Sequence, residues 1–427
     1  MREMKDSGIE CIGEIPKDWI VIRLKYCFSG FTNGTSDTQL SSGESFYPVT
    51  RIETISSGEI NLDKIGYVAF SKKQYLLKTG DILVSNINSI KYLGNCAIVR
   101  DGYKLYHGMN LLRIVPSDYI DNGYAYYLFK SNVLKFPMEK YCKPAINQAS
   151  VSATTIKNFF IPFPALAEQQ QIANFLDSKC SEIDATVEDI QKEISLLEEY
   201  KKSVITEAVT KGLNPDAEMK DSGIEWIGEI PKDWKVIRFK YIAIVKSNLV
   251  APIRYMNYPQ IAPDVIEKNT GKIISHRSVE EANVDSWNHL FYKGQILYSK
   301  IRPVLNKVVI APYDGLCSAD MYPISAKENV RFLQYIMLSA FFVKQVDLVT
   351  RDRIKMPKIN QDELGNILLV WTSKEEQQQI ADFLDSKCSE IDSLIADKKR
   401  QLDILADYKK SLIYEYVTGK KEVPVNE

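Results

Sequence analysis

One chain carries the same segment twice. Met4–Tyr26 and Met219–Tyr241 differ at three positions, Cys11/Trp226, Ile20/Lys235 and Leu24/Phe239, at an offset of 215. A second segment also recurs: Glu168–Asp184 and Glu376–Asp392 differ only at Asn174/Asp382, at an offset of 208. Tyr200-Lys-Lys-Ser203 returns as Tyr408-Lys-Lys-Ser411 at that same offset. Copies of this length exceed the repeat unit of any solenoid. The order is head, variable block, tail, then the same again, which implies a tandem duplication with pseudo-twofold symmetry. What repeats is scaffold; what differs is what each half presents separately.

The tails predict long helices. Leu176, Ile183, Ile190, Leu197 and Val204 fall seven apart, and Cys180, Val187, Ile194 and Ala208 form a companion series broken by Lys201. The second tail repeats the stripe with Leu384, Ile391, Leu405 and Leu412, and Lys398 and Lys409 interrupt it. Such a 3-4 spacing suits helices paired along a seam. Neither Gly nor Pro occurs from Glu168 to Lys211, and Gly212 and Pro215 supply the stop. A helix of that length spans roughly 65 Å at 1.5 Å per residue. An apolar stripe so long needs a partner, and the other tail is the nearest candidate. Periodicity alone leaves a generic dimerisation stalk open.

The blocks between, Trp19–Pro164 and Trp234–Ser373, read as compact α+β domains. Gly80–Asn86 and Gly294–Lys300 each suggest a turn then a strand, with Cys96–Arg100 and Val308–Pro312 as following strands. Tyr124–Phe136 and Val330–Val346 have helical patterning. Pro144-Ala-Ile-Asn-Gln148 resembles Pro357-Lys-Ile-Asn-Gln361, so the blocks are expected to share a fold but not a surface.

Several classes are excluded. Seven cysteines, an odd number with no CxxC pair, and three unclustered histidines argue against a disulfide framework or a metal centre. The first residues lack a signal peptide's apolar stretch, and runs such as Ile367–Trp371 are too short to cross a bilayer, so a cytoplasmic protein without a membrane partner is expected. No GxxxxGK[ST], GxSxG or HExxH occurs, nor the glycine-rich loop and Asn/Asp-Pro-Pro-aromatic tetrapeptide of an adenine methyltransferase. No cofactor and no catalytic residue are expected; the chemistry belongs to a partner.

The net charge of -1 conceals a split. Residues 168–212 hold 5 basic and 10 acidic residues, and residues 375–421 hold 8 and 10. The rest has 41 basic against 35 acidic, so acidic rods carry mildly basic blocks. This is compatible with nucleic acid and equally with ordinary solvated surface. Local runs are sharper. Lys300, Arg302, Asn306 and Lys307 follow one strand, and Arg351, Arg353, Lys355, Lys358 and Asn360 form a second run. In the first block the matching loops hold Asn86, Asn88 and Lys91, then Lys143, Asn147 and Gln148. Arg and Lys pair with phosphates and guanine, and Asn and Gln with adenine. These fifteen are the candidate DNA-binding residues.

The head "KDSGIEWIGEIPKDW", a Gly-Asp-Ile-Leu strand and the "IPFPALAEQQQIANFLD" entry to a long helix, nearly twice over, resemble the specificity (S) subunit of type I restriction-modification systems. The resemblance covers nearly the whole chain, although Ile367–Gln378 lacks the Pro-x-Pro of the first copy. It implies two target recognition domains of mixed α/β fold joined by two long antiparallel helices. The division is 1–164, 165–212, 213–373 and 374–427, as first domain, first helix, second domain, and second helix with tail. It implies a bipartite double-stranded DNA site, with the helices setting the gap. It also implies two methyltransferase (M) subunits that modify adenine, and restriction (R) subunits. On that picture the acidic rod bridges above the spacer and the readers descend from its ends. The rivals are a coiled-coil scaffold with two non-DNA interaction domains and a stand-alone methyltransferase or nuclease.

Overall fold

A computed structural model describes residues 2–38, 40, 47–145, 148–353 and 355–424. Packing divides the chain into two compact units, Met1–Asp189 with Gln401–Glu427, and Ile190–Arg400. The long helices, Leu166–Lys211 and Lys374–Val417, are therefore not a separate body: each contributes one half to each unit.

The repeated heads fold alike. In the first unit Met4–Asp6 pairs antiparallel with Glu14–Pro16. Asp6 Oδ1 accepts the Gly8 N–H at 3.0 Å and Ser7 Oγ that of Ile9 at 3.1 Å. Gly8 supplies the left-handed φ of 68° that this turn requires. In the second unit Asp221, Ser222 and Gly223 make the same bonds, with a φ of 73°. Each head ends in a buried tryptophan. The Trp19 indole N–H donates to Glu168 Oε2 at 3.0 Å, at the start of the first long helix. The Trp234 indole donates to Glu376 Oε2 at 2.9 Å, at the start of the second.

Both blocks contain the same four-stranded antiparallel sheet. In the first the order is Phe28–Asn33, Leu112–Pro116, Ile82–Val84, Cys96–Ile98. In the second it is Ala243–Val245, Met321–Ala326, Ile296–Ser299, Val308–Ile310. The strands expected at 80–86, 96–100, 294–300 and 308–312 are present, somewhat shorter. Side chains alternate between two cores. Ile82 and Val84 enter the core shared with the long helices, whereas Leu83 faces a second cluster with Ile55, Leu77 and Leu105. Ile296 and Tyr298 face the helices, and Leu297 faces Ile261, Val265 and Phe291. Beyond this sheet the blocks diverge. The first adds the pair Tyr47–Val49 and Gly66–Val68, and the second a four-stranded sheet whose Gln260–Ile261 edge is parallel to its neighbour.

The helix expected over Tyr124–Phe136 is two helices, Asn122–Lys130 and Asn132–Lys140. That over Val330–Val346 is likewise Val330–Leu338 and Ala340–Thr350. A serine makes each break. Ser131 and Ser339 are extended, and each hydroxyl donates to the carbonyl three residues back, Leu128 or Ile336. Serine competes in this way with the helical backbone, and the periodicity continues across the break because both helices pack on one core. Among the described residues no single helix is long and apolar enough to cross a membrane.

The long helices run antiparallel within each unit. In the first, Phe175 stacks on Tyr416 at 4.5 Å between centroids and Asp184 accepts from Lys409 at 2.7 Å. In the second, Glu193 pairs with Lys398 and Asp392 accepts from Lys201 at 2.7 Å. Lys201 and Lys409, which break the apolar series, thus form one ion pair written twice, at an offset of 208. Gly212 ends the first helix with a φ of 75°, as the sequence predicts.

Burial opposes ionisation of Asp392, but hydrogen bonds from Lys201 and Lys272 outweigh it and hold the carboxyl below its usual range. A depressed folded-state pKa contributes stability above the unfolded value of about 4, and that contribution vanishes as pH falls through the folded value. Lys201→Met should therefore destabilise the second unit by about 1–2 kcal/mol at pH 7. The penalty should shrink in urea titrations repeated at pH 3; an equal penalty at both pH values refutes the ion pair's role.

Candidate nucleic-acid interface

The candidate residues of the second block lie on two segments that fold against each other. The strand Ile296–Ser299 runs into a loop that returns at Val308, closed by the Ser299 N–H donating to Lys307 O at 3.0 Å. Residues 357–359 lie antiparallel to the start of this loop. Ile301 and Lys358 form a bridge, the Ile359 N–H donates to Lys300 O at 3.0 Å, and the Arg302 N–H donates to Pro357 O at 2.8 Å. Two runs some fifty residues apart in the chain become one polar ribbon. The Arg302 and Asn306 backbones adopt φ of 42° and 45°, which let the loop turn back within a few residues.

The first block builds the same ribbon from other residues. Ile87 and Asn88 pair with Ser150 and Ala149, and Lys143 with Ser150, in a three-stranded sheet. The Val151 N–H donates to Asn86 O at 2.9 Å, the counterpart of Ile359 to Lys300. The structural equivalents of Lys358, Ile359 and Asn360 are therefore Ser150, Val151 and Ser152. Ser152 caps Ala153–Lys157 as Asn360 caps Gln361–Asn366. The sequence likeness of Pro144–Gln148 to Pro357–Gln361 pairs positions that are not equivalent.

The side chains divide by what already holds them. Asn86 and Asn306 are buried, and their amides donate to Val151 O at 3.0 Å and Met337 O at 2.9 Å. Both side chains are turned inward and brace the ribbon's backbone rather than its outer surface. Asn360 Oδ1 accepts the Glu363 N–H at 2.8 Å as a capping box, so its oxygen belongs to the helix. Asn88 donates to Ser85 Oγ and accepts from the Ser89 N–H. The Lys307 ammonium donates to Pro263 O. Arg353 pairs with Glu363, and Lys358 with Asp320 at 3.2 Å.

Other candidates remain outward. Arg302, Arg351 and Lys355 are exposed and form no ion pair among the described residues. Lys300 lies over the Tyr322 ring at 5.4 Å and Lys91 over Tyr92 at 5.4 Å. Lys143 and Gln148 are exposed; Asn147 lies outside the described residues. The contribution of Tyr92 and Tyr322, on which two ammonium groups rest, carried no signal in residue spacing.

The comparisons with known proteins agree with one another. The family described as the type I restriction modification DNA specificity domain matches residues 16–196. A Methanocaldococcus jannaschii protein assigned as the type I restriction enzyme MjaX specificity subunit is 32% identical, covering 96% of both chains. The Escherichia coli type I restriction enzyme EcoDI specificity subunit is 28% identical, over 86% of this chain and 81% of its own. A solved chain from work on complex assembly and conformational transition of the type I R-M system superposes with a TM-score of 0.70 at 13% identity, covering 95% of this chain and 99% of its own. Duplicated heads and tails, two unlike blocks each built on its own sheet of the same order, and this similarity over nearly the whole chain converge: the chain belongs to the family of type I restriction enzyme specificity subunits.

Proposed function

We propose that this chain reads a bipartite double-stranded DNA site, one half with each block, and directs adenine methylation and restriction carried out by two M subunits and R subunits. The chain itself is non-catalytic and acts in the cytoplasm, where its DNA is. One observation supports this reading above the rest. The same scaffold, in both units, presents a polar ribbon at the end of the same strand, and the residues on the two ribbons differ. A common frame with unlike ribbons suits a protein that takes two unlike half-sites.

The exposed cations Arg302, Arg351 and Lys355, with Lys300, are the proposed phosphate and base contacts of the second block; Lys91, Lys143, Asn147 and Gln148 are those of the first. A few such contacts give modest affinity, and M subunits would share the phosphate load. The long helices act as the ruler, since half-site spacing follows from the rigid element that joins two readers. Their acidic surfaces disfavour lying along the phosphates.

Methylation profiling of the host genome with and without this gene identifies the target; an unchanged profile refutes the proposal. Three further outcomes follow. The triple variant Arg302→Ala, Arg351→Ala, Lys355→Ala should bind DNA at least tenfold more weakly, with a shallower salt dependence, by fluorescence anisotropy between 50 and 200 mM salt; unchanged affinity excludes these three. Replacing residues 19–164 by the block of another family member should alter one half of the methylated sequence, and a change in both halves contradicts separate reading. Inserting four residues, about one helical turn, near Ser195 should change the permitted gap and not the letters; an unaltered gap rules out the ruler.

A further inference from the structure

In the second block the segment 263–273 touches three things. It begins at Pro263, whose carbonyl accepts from Lys307, the last residue of the ribbon loop. Its Asn269 N–H donates to Asn306 O, in the same loop, at 3.2 Å. It turns through Asn269 and Gly271, with φ of 61° and 75°, and closes with the Ile266–Ile273 bridge. Gly271 presses on the helix Val330–Leu338, where an added Cβ would lie 2.9 Å from Gln334 Nε2 and 3.4 Å from Leu338 Cδ1. Lys272 then reaches the long helix, its ammonium 2.8 Å from Asp392 Oδ2, on the carboxylate that Lys201 already holds.

The first block has a counterpart that shares only a short Gly-x-Ile string, Gly58-Glu59-Ile60 against Gly271-Lys272-Ile273. Asn95, the last residue of its ribbon loop, donates to Ser56 O at 3.4 Å. Gly58, with a φ of 83°, lies on the helix Asn122–Lys130, where an added Cβ would meet Lys130 Cε at 3.5 Å. The Tyr126 hydroxyl donates to Glu59 Oε1 at 2.8 Å and is 3.2 Å from Gly58 O. Tyr126 and Lys130 stand 208 residues before Gln334 and Leu338, so both straps land on the same two positions of the scaffold helix.

We propose that these straps fix the pose of each reading ribbon relative to the scaffold, with Lys272 and Glu59 as positioning residues for sequence reading. The proposal rests on the reading that the ribbons bind DNA. Left-handed residues such as Arg302 and Asn306 are costly and persist only where the surrounding structure holds them. The strap ties its end to a helix, and in the second unit also to an ion pair between the long helices. A ribbon so held meets base edges in one register, and a loosened one still meets phosphates but discriminates less.

Lys272→Ala separates the possibilities, tested in the full chain with its methyltransferase on a duplex carrying the methylated genomic site. Amide exchange across 299–307 should quicken in the free protein, and discrimination against single-base changes in one half-site should fall about tenfold, as for a lost charge-assisted bond. The salt slope should stay unchanged, and Lys272→Arg should restore the wild type. Tyr126→Phe should do the same to the other half-site only. A salt slope reduced by about one with unaltered exchange makes Lys272 a phosphate contact and overturns the proposal. Unaltered exchange with unaltered discrimination also overturns it. The exchange measurement needs no DNA, so it judges the strap even if the wild-type complex shows no sequence preference, a result that would sink the DNA reading instead.

Discussion

The structure depends on a tryptophan held at the meeting of two helix ends. In the first unit Trp19 donates to Glu168 in the opening turn of one long helix, and Gly419, just past the end of the other, lies close against its ring. Trp234, Glu376 and Gly212 repeat the arrangement in the second unit. An indole buried with its N–H on a carboxylate is favourable only if that bond is made, because an orphaned donor costs about 1–3 kcal/mol. The left-handed glycine lets the neighbouring helix stop beside the ring: an added Cβ would lie 3.0 Å from the Trp19 ring and 2.5 Å from Pro16 at Gly419, and 3.2 Å from the Trp234 ring at Gly212. Head and tail repeats are thus two parts of one joint.

The second constraint is polar. A purely apolar stripe along both helices would tolerate several registers. Lys201 on Asp392 and Lys409 on Asp184 admit one, since each lysine must face its aspartate across the seam. The interruptions of the heptad pattern specify the alignment. They also explain why net acidity in the tails is not simply a solvated surface: part of it is committed to partners within the seam.

Much of this was legible beforehand, and the reason is local. Head, tail, heptad stripe and the strands near 82 and 296 follow from identity, periodicity and turn chemistry over short windows. The broken helices were missed because Ser131 and Ser339 interrupt the backbone without interrupting the apolar pattern. The candidate interface was legible as a region but not as a residue set. That residues 300–302 and 357–359 lie together depends on sheet topology, which spacing does not encode. Asn86 and Asn306 looked like readers because amide side chains in loops serve bases and backbone carbonyls equally well. Only burial separates those uses. The likeness of Pro144–Gln148 to Pro357–Gln361 misled because short identical strings arise by chance, whereas the matching caps, Ser152 and Asn360, share no letter.

The central sheet of each block is buried on both faces, and the two faces belong to different owners. Val84 and Tyr298 pack toward the repeated frame, while Leu83 and Leu297 pack toward the part that differs between the two halves. A lineage acquiring new targets therefore has little freedom to graft half a block, since a crossover inside the sheet would set one parent's pleat against the other's filling. Exchange between the two halves is channelled to the near-identical stretches at either side, where the two copies already agree.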